Sequence, residues 1–88
     1  MPKIQLTDRF FALYSSLPSP IRKKIDRQIN LLADNPRHST LQTKTVQGTN
    51  GIYEAWVDIN YRLTYERLPG DILLLRVVAK HDDVLKNP

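Results

Sequence analysis

The sequence has no cysteine, only three glycines and no long apolar run. Because cysteine is absent, a disulfide framework and a thiolate metal site are both excluded, which fits a reducing compartment. No stretch approaches the roughly 18 uninterrupted apolar residues of a membrane-spanning helix, and the opening MPKIQLTDRF lacks the apolar core of a signal peptide. We therefore expect a cytoplasmic protein with no membrane partner.

The chain does contain enough apolar material for one globular domain, residues 1–88, and an excess of positive charge. Of its 88 residues, 41% are hydrophobic and 25% are charged, which is typical of a globular chain with a single core. Thirteen Lys and Arg residues stand against nine Asp and Glu residues, for a net charge of +4. This excess favours a polyanion or an acidic protein as the partner.

The N-terminal part of the chain has the pattern of a strand followed by a helical hairpin. The alternation in KIQL predicts a short opening strand, and Thr7 has the character of a helix N-cap. The helical spacing of apolar residues over 10–17 predicts a first helix that ends before Pro18. SPIRKKIDRQINLLADNP predicts a second helix that begins near Ser19 and ends at Asn35. A short connection makes the two helices antiparallel neighbours.

From Leu41 onward the apolar period changes to two, the period of a strand. LQTKTVQG, IYEAWV, YRLTYE and ILLLRVVA predict strands, separated by turn residues such as Asn50-Gly51 and Pro69-Gly70. The nearly continuous apolar run of the last strand favours a central place in the sheet. The predicted fold is α+β: an antiparallel twisted sheet, made of the N-terminal strand and a meander of about four strands, with the two-helix hairpin packed on one face.

The face of the sheet away from the helices is predicted to carry polar side chains, and we call it the open face. Side chains alternate along a strand, so Arg62 points away from the apolar residues that flank it. In the last strand we place Leu74, Arg76 and Val78 together on this polar side. A one-residue slip in register would exchange the two faces. The predicted open face carries Glu54, Trp56, Arg62, Thr64 and Arg76, with Lys80 and His81 at its edge.

These residue types suit the cleavage of RNA through its own 2′-hydroxyl group. That reaction needs a base for the hydroxyl, cations for the phosphorane and an acid for the leaving 5′-oxygen. The guanidinium of Arg62 is a bidentate donor, and an imidazole such as that of His81 can be acid or base. Glu54 can serve as base. Alternatively, Arg62 and Glu54 form an exposed cross-strand ion pair with no catalytic role.

Two further readings of the sequence concern Trp56 and the histidines. Trp56 on an open sheet face can stack on a base or fill a groove of a partner, or the C-terminal segment can cover it. His81 is followed by two aspartates, but a metal site needs three or four ligands from separate elements. His38, the other histidine, lies in a predicted loop. We expect no metal and no cofactor.

Three stretches carry a resemblance to a known family: NPRHSTLQTKTVQG, GIYEAWVDINYRLTYE and GDILLLRVVAKHDDVLKNP. In order and spacing they resemble the RelE/ParE toxin superfamily, and within it the small cytotoxic translational repressors. The resemblance implies the toxin of a type II toxin–antitoxin system, with a cognate antitoxin as partner, that cleaves mRNA on the ribosome. It leaves open a non-catalytic inhibitor of DNA gyrase, as in ParE, and a member that only binds its antitoxin.

The resemblance also implies roles for individual residues. Arg62 matches the arginine that contacts the scissile phosphate, and His81 lies where such nucleases carry an arginine or a histidine. Lys44 matches a basic strand that contacts the RNA backbone. The chain departs from the best-studied nuclease branch, since Glu54 and Trp56 replace two lysines and Leu85 replaces a tyrosine. The predicted catalytic residues are Arg62, His81 and Glu54, and the predicted RNA-binding residues are Lys44, Trp56, Arg76 and Lys80.

Overall fold

The order of elements is a strand, two helices, four strands and a short terminal helix. The computed structural model describes residues 1–88, in the order β1 (Lys3–Leu6), α1 (Asp8–Ser15), α2 (Ser19–Asp34), a 3₁₀ turn (Ser39–Leu41), β2 (Lys44–Thr45), β3 (Ile52–Trp56), β4 (Tyr61–Leu68), β5 (Ile72–Lys80) and α3 (His81–Val84). No helix has the length and hydropathy needed to cross a membrane.

The five strands form one sheet in the order β1-β5-β4-β3-β2. Strands β2 to β5 are an antiparallel meander, which confirms the predicted α+β class, and β5 has a partner on both sides as expected. The first strand differs from the predicted antiparallel arrangement, because β1 lies beside β5 and runs parallel to it. The predicted strand LQTKTVQG is also reduced to the two residues of β2, since the chain turns at Gln42 with a left-handed φ of 47°.

The core lies between the helical hairpin and one face of the sheet. Phe10 of α1 and Ile25 and Leu32 of α2 are fully buried, and they pack against fully buried Leu63 and Leu75 of the sheet. Each such side chain contributes about 1.5–3 kcal/mol relative to an exposed one. The packing fixes one face of the sheet against the helices and leaves the charged residues of β3 and β4 on the other.

A β-bulge at Arg76 interrupts the alternation of β5. Thr64 pairs with Val77 and Tyr65 pairs with Leu75, so Arg76 has no partner on β4. The extra residue exchanges the faces of all residues after it. The prediction that Val78 shares the polar side with Arg76 is therefore wrong, since Val78 is 1% exposed and belongs to the core.

The same bulge moves Lys80. Lys80 pairs with Tyr61, which packs against the core, and cross-strand partners share a face. Lys80 thus lies on the helix side of the sheet, at its end, and not at the edge of the open face as the sequence predicted. A regular strand would have kept it beside Arg62.

The C-terminal segment lies across the open face. Helix α3 packs against β4 and β5 and buries Val84 completely. Beyond it, the main-chain oxygen of Pro88 accepts hydrogen bonds from Thr64 Oγ1 at 3.0 Å and Arg76 Nε at 3.1 Å. Thr64 is fully buried as a result. The segment is thus a short helix, His81–Val84, followed by a tail that reaches Thr64 and Arg76.

Thr7 joins the start of α1 to the bulge. Its hydroxyl oxygen accepts from Phe10 N at 3.0 Å as the helix N-cap, and the same hydroxyl donates to the carbonyl oxygen of Arg76 at 3.0 Å. Arg76 is the residue that has no pairing partner on β4. The Thr7 hydroxyl therefore bonds both a main-chain amide at the start of α1 and a main-chain carbonyl at the bulge in β5.

We expect Thr7→Ala to lower the free energy of unfolding by about 1–3 kcal/mol, because it removes an N-cap and leaves a part-buried carbonyl unpaired. Urea denaturation of the purified protein measures the change. Thr7→Ser is the matched control, since it keeps the hydroxyl and should lose much less. Equal losses in the two variants would contradict the role given to the hydroxyl.

Candidate active site

A buried carboxylate, Glu54, lies at the centre of a group of basic side chains. Its residue is 3% exposed. Its Oε1 atom lies 3.7 Å from Lys44 Nζ, 3.8 Å from Arg62 Nε and 3.8 Å from His81 Nε2. These distances are longer than hydrogen bonds, so the attraction is between charges across a small gap. We call these four residues the Glu54 cluster.

The register of the sheet explains why these residues meet. Lys44 pairs with Glu54 across β2 and β3, and Trp56 pairs with Arg62 across β3 and β4. Residues opposite or diagonal to one another on one face are within reach of long side chains. His81 begins α3 directly after β5, the neighbour of β4. The structure thus brings together the three predicted catalytic residues, with predicted Lys44 beside them.

The remaining predicted residues have different positions. Trp56 is half-buried next to Arg62 on the open face. Arg76 is engaged elsewhere, since its Nη1 atom lies 2.9 Å from Glu66 Oε1 and its Nε atom bonds the Pro88 oxygen. Lys80 lies on the other face. The structure therefore gathers Trp56 with the Glu54 cluster and separates Arg76 and Lys80 from it.

The charges of the cluster favour an anion. Lys44 and Arg62 carry two positive charges against the one negative charge of Glu54, which leaves a net +1 while His81 is neutral. Solvent reaches the cluster chiefly at Lys44 and His81, whose side chains are 66% and 43% exposed, whereas Arg62 is 17% exposed. An approaching phosphate would meet Arg62 at the base of the site, and Lys44 and the imidazole of His81 at its rim. No three His, Asp or Glu side chains converge where they could hold a metal ion.

The turn between β3 and β4 holds Arg62 and His81 in place. Asp58 Oδ1 accepts from the main-chain N–H groups of Asn60 and Tyr61, each at 2.8 Å. Arg62 Nη1 donates to the carbonyl oxygens of Asp58 and Tyr61. His81 N donates to the carbonyl oxygen of Asn60 at 2.9 Å. The two candidate catalytic residues Arg62 and His81 are therefore both anchored to main-chain oxygens of this one turn.

Helix α2 supports this region from the other side of the sheet. Lys24 Nζ lies 3.1 Å from Asp58 Oδ2, and Gln28 Nε2 donates to the carbonyl oxygen of Trp56 at 2.7 Å. Gln28 is 3% exposed, so its amide is a buried polar group with a partner. The sequence predictions missed both supports. The spacing of Asp58 and Asn60 is that of an Asx turn and could have indicated that Asp58 closes the turn, but nothing in the pattern of α2 indicated Lys24 or Gln28.

Burial raises the pKa of the Asp58 carboxyl group, but hydrogen bonds from Asn60, Lys24 and Tyr61 outweigh burial. The pKa is accordingly lowered from its ordinary value of 3.8. A carboxylate with a lowered pKa in the folded state is stabilising wherever it is ionised. The turn is thus held most strongly above pH 3.8, when Asp58 carries its charge.

The comparisons with solved structures agree on one fold. YafQ from E. coli superposes with a TM-score of 0.76, at 17% identity over 94% of this chain and 97% of that chain. The isolated E. coli RelE toxin gives a TM-score of 0.73, at 17% identity over 91% of this chain and 84% of that chain. The RelB–RelE complex of Methanococcus jannaschii gives 0.74, at 21% identity over 96% of this chain and 98% of that chain.

This chain has the RelE fold. The similarity confirms the fold that the resemblance in sequence implied. No protein-family model matches the chain, and no curated protein sequence matches it. Within the RelE fold, the Glu54 cluster occupies the face of the sheet opposite the helical hairpin.

We expect Asp58→Asn to lower the free energy of unfolding by about 1–3 kcal/mol near neutral pH, since it removes the charge that strengthens three hydrogen bonds. The loss should shrink as the pH falls below 3.8 and the wild-type carboxylate takes up a proton. Urea denaturation of both proteins between about pH 6 and about pH 3 measures the difference. A difference that stays constant over this range would contradict the charge-dependent role, because all other acids titrate in both proteins.

Proposed function

We propose that residues 1–88 act as the toxin of a type II toxin–antitoxin system, an endoribonuclease that cleaves mRNA held by the ribosome in the cytoplasm. The observation that carries this proposal is the Glu54 cluster: a carboxylate with an imidazole and a guanidinium each within 4 Å of it, on a RelE fold. These three groups supply a base, an acid and a phosphate-binding cation without a metal or a cofactor.

The proposed reaction follows from the position of each group. Glu54 takes the proton of the 2′-hydroxyl, and the 2′-oxygen attacks phosphorus. The bond from phosphorus to the 5′-oxygen breaks, and protonated His81 gives its proton to that oxygen. The products are a 2′,3′-cyclic phosphate and a 5′-hydroxyl. Arg62 stabilises the negative charge of the phosphorane that forms before the products separate.

The ribosome has a defined part in this proposal. The cluster has only two permanent cations, and the neighbouring Arg76 is engaged with Glu66 and the Pro88 oxygen. Such a site binds a free RNA chain weakly, because affinity for RNA rises with the number of phosphates that are neutralised. An mRNA already held by the ribosome has lost most of its translational and rotational entropy. The toxin therefore needs to supply the catalytic groups but little binding energy.

The proposed protein partner is an antitoxin. RelE-fold proteins have been solved in complexes with antitoxins, among them the RelB–RelE complex of M. jannaschii described above. In the present chain, Leu6 and Phe11 are 45% and 58% exposed near the junction of β1 and α1. Two large apolar side chains left in solvent at the outer edge of the sheet favour contact with an apolar segment of another protein. An antitoxin that folds on binding would supply one.

We expect induction of the wild-type protein in a bacterial host to create new transcript 5′ ends in coding regions. Arg62→Ala and His81→Ala should each reduce these ends at least about 100-fold, since each removes a group acting in the transition state. Transcript 5′-end mapping after brief induction gives the count. Arg27→Ala is the matched control, because Arg27 is exposed on α2 and forms no ion pair.

Retention of cleavage in Arg62→Ala would refute the proposed site, provided that circular dichroism shows both variants to be folded. Growth arrest with unchanged transcripts would refute cleavage itself and favour inhibition of DNA gyrase. If induction causes neither growth arrest nor new transcript ends, the remaining hypothesis is a protein that only binds its antitoxin.

The role of Glu54 has its own test. We expect Glu54→Gln to reduce the rate of mRNA cleavage on purified ribosomes by about 100-fold or more, because the amide has the same size but cannot accept the proton. Binding to a ribosome whose mRNA carries a 2′-deoxynucleotide at the cut should be unchanged or tighter, since one negative charge is lost beside a phosphate. Lys44→Ala should instead weaken this binding and spare most of the rate. Equal effects of the two variants on rate would contradict a base at Glu54.

A further inference from the structure

A cavity of about 380 Å³ opens beside the Glu54 cluster, between the edge of the sheet and the C-terminal segment. Two of its residues belong to the cluster, and the other four come from β2, the loop after it and the residue that follows α3. It is lined by Lys44, Thr45, Val46, Gln47, Glu54 and Leu85. We call it the Gln47 cavity.

The walls of this cavity are partly apolar. Val46 is 6% exposed and makes a firm wall, while Leu85 is 45% exposed, which is unusual for a large aliphatic side chain next to a charged site. A planar group with an apolar face would cover Leu85 and leave its own polar edge free. Nucleic-acid bases have this shape, and their apolar faces are removed from water when they cover an aliphatic side chain.

Gln47 provides a polar group at the same place. Its side chain is exposed and forms no hydrogen bond within the protein, so its amide has both a donor and an acceptor free. The main chain next to it is fixed, because the carbonyl oxygen of Val46 accepts from Thr49 Oγ1 at 2.6 Å and from Thr49 N at 3.3 Å. A free amide on a fixed backbone can read the edge of a base, where donors and acceptors alternate.

The proposed roles of Glu54 and His81 indicate which nucleotide of the RNA occupies the cavity. The 2′-hydroxyl that Glu54 deprotonates belongs to the nucleotide on the 5′ side of the cut. The leaving oxygen that His81 protonates belongs to the nucleotide on the 3′ side. The Gln47 cavity includes Glu54 but not His81. It therefore lies on the side of the nucleotide whose 2′-hydroxyl loses its proton.

We infer that the Gln47 cavity binds the base of the nucleotide on the 5′ side of the scissile phosphate, and that the Gln47 amide selects among the four bases there. The base stacks against Leu85 while its polar edge meets the amide. This inference rests on the proposed function, since it takes its direction from Glu54 as the base. It makes Gln47 a residue that determines sequence preference and takes no part in bond breaking.

The test compares the base composition at cut sites for the wild type, Gln47→Ala and Gln5→Ala, by mapping transcript 5′ ends after induction. Gln5 is the matched control, because it is an exposed glutamine on β1, at the opposite edge of the sheet. Gln47→Ala should reduce the preference for the favoured base on the 5′ side by about 2- to 10-fold, the range of one neutral hydrogen bond. The preference on the 3′ side should be close to wild type.

A second measurement does not need cleavage. Addition of the four nucleoside 3′-monophosphates to the labelled free protein should shift the side-chain amide resonance of Gln47, and by different amounts for different bases. Gln47→Glu, which accepts but does not donate, should move the preference toward bases with an exposed amino group.

Three results would overturn the inference alone: unchanged base frequencies in Gln47→Ala, a change confined to the 3′ side, or a wild type without preference on the 5′ side. Each of these results is counted only from cuts that disappear in Arg62→Ala, so the proposed function would stand. If wild type gives no Arg62-dependent cuts, the proposed function fails and this inference fails with it.

Discussion

The closure of the β3–β4 turn by Asp58 is the interaction on which the candidate site depends. The turn offers main-chain oxygens to Arg62 on one side and to the main chain of His81 on the other. Asp58 itself is held by two amide groups and by Lys24 of α2. The side chain that binds the phosphate in our proposal is thus oriented by backbone, which has little freedom, and the turn is fixed to the helical layer behind the sheet.

Helix packing and site geometry are coupled through buried polar groups. Gln28 donates to the main chain of Trp56, and Lys24 reaches Asp58 from the next turn of the same helix. A buried amide without its partner costs about 1–3 kcal/mol, so a shift of α2 along the sheet would be opposed at both points. The Glu54 carboxylate lies on the other face, beside Lys44, Arg62 and the imidazole of His81. In this region, the polar contacts that hold α2 lie on one face of the sheet, and the candidate catalytic residues lie on the other.

Most of the fold and the centre of the site were predictable from the sequence, because their signals are periodic. The helical stripe and the alternation in β3 and β4 placed Glu54 and Arg62 on one face, where the structure has them. The bulge at Arg76 was not predictable. In ILLLRVVA both faces are apolar, so an extra residue leaves no break in the pattern, and Val78 and Lys80 were assigned to the wrong face. Asp58 was assigned only to a turn, because burial of a polar side chain has no periodic signal.

The pairing of β1 with β5 has a consequence for how the protein is made. Thr7 bonds the carbonyl of Arg76 from a distance of 69 residues along the chain, and β1 has no other strand beside it. Neither the opening strand nor the bulge can reach its final state until β5 has emerged from the ribosome during synthesis. Contacts between such distant segments also form slowly, because a long loop must close first. His81 lies later still in the chain, so the growing polypeptide is without its complete cluster for most of its own translation.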